Sequence, residues 1–111
     1  MSLIDTQFTD MIGAKALISI ILKQGYSVTV NDGEEDTLIG ETCRATIYDA
    51  MATTDWDYIA PVSEAGEELG YFWLIYGEDA DPSTIISDYS VNDVCDSIYS
   101  AFETRFERYS R

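Results

Sequence analysis

The stretch Tyr71-Phe72-Trp73-Leu74-Ile75-Tyr76 decides the fold. It is short, apolar and aromatic, and it lies between Gly70 and Gly77, which marks a strand rather than a helix. Alternation places Tyr71, Trp73 and Ile75 on one face and Phe72, Leu74 and Tyr76 on the other. A strand apolar on both faces belongs in the centre of a sheet. It is either covered on both sides, or covered on one side with a partner site on the other.

The neighbouring segments read outward from this strand. Glu64-Ala65-Gly66-Glu67-Glu68 makes the turn of a hairpin, preceded by a strand from Trp56 to Val62 that ends near Pro61. After a polar loop from Gly77 to Pro82, Thr84 to Tyr89 reads as a further strand. A last helix is predicted over 91–109, with Ser90 or Asn92 as its cap. Its stripe is Val91, Val94, Cys95, Ile98, Phe102, Phe106 and Tyr109, at steps of three and four. Arg105, Arg108 and Arg111 gather at its C-terminus, where positive charge complements the helix dipole.

Towards the N-terminus, a broadly apolar helix is predicted over 5–24, closed by Gly25. Tyr26 to Val30 alternates as a half-buried strand, and Asn31-Asp32-Gly33 is a turn. Thr37 to Ile39 offers a short strand. A helix over 41–52 carries Cys43, Ile47, Ala50 and Met51 on its apolar side and ends at Thr53 to Asp55. The expected fold is α+β, a single domain over 1–111. Three helices mainly cover one face of an antiparallel sheet of three to four strands, in the order α-β-α-β-β-β-α.

Composition excludes several function classes. The chain has 111 residues, 46% hydrophobic and 13% aromatic, which suffices for a core and is too apolar for a disordered acidic tail. No stretch reaches the roughly 18 apolar residues of a membrane span. The N-terminus MSLIDTQFTD has no basic region of the signal-peptide kind, so the expected location is the cytoplasm. Histidine is absent, which removes Ser-His and Cys-His dyads and His-ligated metal sites. Cys43 and Cys95 have neither knuckle nor redox-pair spacing and are expected to be reduced, buried small hydrophobes. The segment from Asn31 to Asp36 lacks the register of a calcium loop and reads as a solvated turn. No phosphate-binding or catalytic motif is present. The expectation is a protein that is not an enzyme and holds no cofactor, metal or catalytic residue.

The anomaly is charge. Against 21 acids stand 6 bases, for a net −15. From Gln24 to Thr104 the chain holds 18 acids and one base, Arg44. Such a balance argues against direct nucleic-acid binding. A fold of this mass exposes roughly 6,000 Å². Were the 18 acids gathered on half of it, each would command about 170 Å², against about 110 Å² per charge on a duplex taken as about 20 Å wide. The acids cluster in predicted loops: Asp32, Glu34, Glu35 and Asp36; Asp55 and Asp57; Glu64, Glu67 and Glu68; Glu78, Asp79 and Asp81. Trp56 and Tyr58, beside Asp55 and Asp57, suggest an aromatic anchor with an acidic rim.

Three stretches carry a resemblance: GYSVTVNDGEE from Gly25, GYFWLIYG from Gly70, and IISDYS from Ile85. With them the chain resembles, over residues 12–95 in outline, small uncharacterised proteins encoded by tailed bacteriophages. The resemblance implies a phage origin, and so the host cytoplasm, without assigning an activity. In kind, though in no motif, the chain is also similar to acidic phage inhibitors that imitate DNA.

The expected function is therefore a phage-type acidic inhibitor that mimics nucleic-acid charge. Those twelve loop acids would block the basic groove of a host DNA- or RNA-binding protein, with charge attraction steering the encounter. The rival expectation is a homodimeric phage accessory or structural protein, paired through its aromatic sheet, whose acids serve only solubility. Adaptation to high salt is a third explanation of the charge.

Overall fold

The computed structural model describes residues 3–51, 56–76 and 85–106. The elements are α1 (Leu3–Lys23), β1 (Ser27–Asn31), β2 (Asp36–Glu41), α2 (Arg44–Ala50), β3 (Trp56–Val62), β4 (Phe72–Ile75), β5 (Ile86–Tyr89) and α3 (Asp93–Arg105). The five strands form one sheet in the order β2-β1-β3-β4-β5, and every neighbouring pair is antiparallel. The α+β class and the antiparallel sheet are as expected, with five strands rather than three or four.

The strand outside the expected order is β2, which contains the short strand offered by Thr37 to Ile39 and makes a hairpin with β1. Its apolar pattern is weak: Leu38 packs on the core while Ile39 is 74% exposed. Backbone pairing to β1, with irregular register on both sides of Val30, holds it as an edge strand.

The register assigns the two faces of the sheet. Val30 lies opposite Ile59, Ile59 opposite Phe72, and Phe72 opposite Tyr89, so these side chains share a face. Val28, Val30, Ile59, Phe72 and Leu74 are fully buried there with Leu17, Ile18 and Ile21 of α1, Ile47 of α2, and Cys95, Ile98 and Phe102 of α3. Each such aliphatic or aromatic side chain contributes roughly 1.5–3 kcal/mol on leaving water. Stacked rings run on from Phe72 to Tyr89 and from Tyr89 to Tyr99, where centroids are 4.4 Å apart. All three helices thus lie on one face of the sheet. β4 lies inside the sheet between β3 and β5, one place from its centre, and is covered by helices on one face only: Phe72 and Leu74 lie beneath them, while Trp73 and Ile75 point away.

The helix ends follow from local chemistry. Gly25 adopts φ +95°, Tyr26 N–H donates to the Ile21 carbonyl and Gly25 N–H to that of Leu22, a left-handed cap that stops α1 and launches β1. Asn92 caps α3, its Oδ1 accepting from Cys95 N–H at 2.9 Å. Val91 lies outside the helix and is 86% exposed, so it is no part of the core stripe. Cys43 is likewise corrected. Glu41 Oε2 accepts the Thr42 and Cys43 N–H groups; α2 starts at Arg44 and Cys43 is an exposed N-cap residue. Cys95 is buried as expected. The predicted helix end at 53–55, the loop from Gly77 to Pro82 and Tyr109 lie outside the described residues.

Candidate partner-binding surface

The face of the sheet turned away from the helices carries an aromatic cluster. Trp56 and Tyr58 come from alternate positions of β3, Tyr71 from the residue before β4, and Trp73 from β4. Tyr58 and Trp73 are directly opposite in register and stack at 6.0 Å with 26° between planes. Trp56 meets Tyr58 edge-on at 5.2 Å and Trp73 at 5.9 Å, while Tyr71 meets Tyr58 edge-on at 5.6 Å. Trp56, Tyr58 and Trp73 are half-buried by one another, and Tyr71 is 39% exposed.

Beside this cluster runs a groove of about 590 Å³, floored by Thr29 and Ala60 and bordered by Asn31, Asp36, Tyr58, Glu68, Gly70 and Tyr71. An adjoining hollow shares Thr29, Asp36 and Glu68 and reaches Ser27, Glu64 and Gly66. Acids from the two predicted acidic turns therefore meet on one face, although the turns sit at opposite ends of β1 and β3.

The twelve acids singled out from the sequence have different fates. Glu34, Glu35 and Asp36 are exposed in or beside the β1–β2 turn, and Glu64, Glu67 and Glu68 are exposed in the β3–β4 connection. Asp32 is half-buried and structural. Its Oδ1 accepts Glu34 N–H at 2.9 Å and Glu35 N–H at 3.0 Å, which holds its carboxyl below the usual range. Asp57 is a correction. It is 0% exposed, opposite Leu74 on the helix-covered face, and Tyr76 Oη donates to its Oδ2 at 2.6 Å. Strand alternation sends residue 57 to the side opposite Trp56 and Tyr58, so it cannot belong to their rim. Asp55, Glu78, Asp79 and Asp81 lie outside the described residues. Asp88, which the loop-based reading passed over, is exposed directly opposite Trp73. Only the register of β4 against β5 places it there.

Positive charge is segregated. Every described Lys or Arg lies in a helix: Lys15 and Lys23 in α1, Arg44 in α2, Arg105 in α3. Lys23, Arg44 and Arg105 line a cavity of about 780 Å³ where the three helices meet. The described strands and connections hold ten acids and no base: five in 24–43, four in 56–76, and Asp88 in 85–92. Acids are not confined to that layer, since Asp49, Asp93, Asp96 and Glu103 are exposed on helices.

Other chemistry is sparse. Among the described residues no group of His, Cys, Asp and Glu side chains is placed to hold a metal ion, and no helix is long and apolar enough to cross a membrane. Hydrogen bonds from the Thr46 side chain and backbone draw the exposed Cys43 thiol below its ordinary range, whereas burial pushes the Cys95 thiol up. Comparison with protein-family models, with curated proteins and with solved structures returns no match.

Proposed function

We propose that this protein is an acidic inhibitor of the phage type, which occupies the basic groove of a host DNA- or RNA-binding protein and keeps nucleic acid out. The segregation of charge supports the reading. The sheet layer offers carboxylates with no cation among its described residues, and the cations are withdrawn to the helices. Solubility of a small domain asks for a net charge of only about 2–8 in magnitude, so a net −15 goes beyond that need at the cost of self-repulsion. The mechanism is competition. Long-range attraction accelerates encounter, and the carboxylates of Glu34, Glu35, Asp36, Glu64, Glu67 and Glu68 take the places of backbone phosphates.

The test is capture from bacterial lysate on the immobilised protein at low salt, followed by elution with duplex DNA. The expected result is retention of nucleic-acid-binding proteins that duplex releases. Neutralising the six exposed turn acids to Asn or Gln should abolish that retention. If nothing retained is displaced by duplex, or if the neutralised variant captures the same proteins, the proposal fails.

A further inference from the structure

We infer that the helix-free face of the sheet is a seat for arginine side chains of a polypeptide partner. Guanidinium groups stack on the Trp56–Tyr58–Tyr71–Trp73 platform and pair with Asp36, Glu68 and Asp88 around it. This deepens the proposal above, resting on it only for the basic character of the partner.

Three observations carry the inference. The four rings are contiguous, lie on the one sheet face that no described helix covers, and present Tyr71 to solvent. The platform is ringed by carboxylates: Asp36 and Glu68 share the groove with Tyr58 and Tyr71, and Asp88 stands opposite Trp73. No Lys or Arg in the described strands or connections competes for either rings or carboxylates.

Aromatic faces attract cations through their quadrupole, and the planar guanidinium both stacks on a ring and forks onto a carboxylate. A lysine ammonium, a compact and strongly hydrated point charge, neither stacks as a plane nor forks onto a carboxylate. Nucleobases would also stack on such a platform, but their phosphates would face the carboxylates. A second copy of this chain would bring a like acidic rim against this one.

The two tryptophans of the chain are both in the platform, so intrinsic fluorescence reports the seat directly. The experiment titrates the full chain with nona-arginine and with nona-lysine in about 0.3 M salt, where diffuse attraction is screened. The expected result is a saturable fluorescence change with tighter binding of the arginine peptide. Removing one ring with Tyr71→Ala should weaken it roughly two- to fivefold, and Tyr71→Phe should restore it. Glu68→Gln, which keeps the size of an exposed side chain, should weaken it similarly, while Asp93→Asn on α3 should not.

Equal affinity for the two peptides overturns the inference, as does equal loss in Glu68→Gln and Asp93→Asn. So does a dimer, seen by sedimentation, that Tyr71→Ala dissociates. The two proposals fail separately. Capture that duplex DNA displaces and that survives Tyr71→Ala and Glu68→Gln leaves the inhibitor reading standing and removes this one. Arginine-specific seating without capture of any nucleic-acid-binding protein does the reverse.

Discussion

Gly33 packs against the indole of Trp56. A β-carbon built on Gly33 would lie 2.5 Å from Cη2 of that ring, and Gly33 itself has φ +101°. The contact fixes the β1–β2 turn against the edge of the aromatic platform and brings Glu34 and Glu35 to its Trp56 end. Gly33→Ala meets both a backbone penalty and a clash with an aromatic ring held on three sides. A loss of about 2–4 kcal/mol is expected in urea unfolding, with a shifted tryptophan emission in the folded state.

Tyr76 and Asp57 make a second test, this time of stability without function. The Asp57 carboxylate is buried on the helix-covered face and receives the Tyr76 hydroxyl. Tyr76→Phe removes a donor from a buried carboxylate and should cost about 1.5–3 kcal/mol. Because the pair lies on the face opposite the platform, titration of the folded variant with arginine peptide should match the parent.

The turn acid Asp32 predicts a pH dependence. Its carboxyl is held below the ordinary range by the Glu34 and Glu35 amides, so folding favours the ionised form. The stability it provides is fully present above the unfolded value of about 3.9 and is lost as pH falls through the lower folded value. The urea midpoints of the parent and Asp32→Ala should therefore differ by a constant amount from neutrality down to about pH 5 and converge in stronger acid.

Asn92 ties the start of α3 to the β3–β4 connection. Its Oδ1 accepts from Cys95 N–H, and its Nδ2 donates to the Leu69 carbonyl at 3.0 Å. Asn92→Ala loses a helix cap and a tertiary hydrogen bond together, for about 1.5–3 kcal/mol in thermal or urea unfolding. Asn92→Asp, which keeps the cap but not the donor, should recover part of that loss.

Local pattern made most of this molecule legible. The two-sided apolar run at 71–76, the alternation in β1, the strand from Trp56 to Val62, the wide stripe of α1 and a cap at Ser90 or Asn92, of which the structure uses Asn92, all follow from periodicity and turn chemistry. β2 shows in the sequence only as the short run Thr37 to Ile39, because an edge strand is held by backbone hydrogen bonds that leave little trace in side-chain type. Cys43 lies outside the helix because Glu41 still pairs in β2 and Cys43 keeps extended backbone, so α2 begins only at Arg44.

By itself the sequence determined the class of fold, the excess of acid and the absence of base from long stretches, since these depend on residue type and short-range spacing alone. Only the tertiary structure decided which carboxylates face solvent. Asp57 and Tyr58 are neighbours in the chain, yet one is buried beneath the helices and the other belongs to the platform. Strand pairing brings Asp36 of one turn, Glu68 of another and Asp88 of β5 around the same four rings. The reason is physical: a sheet assembles its faces across strands far apart in sequence, so the company a side chain keeps is set by register.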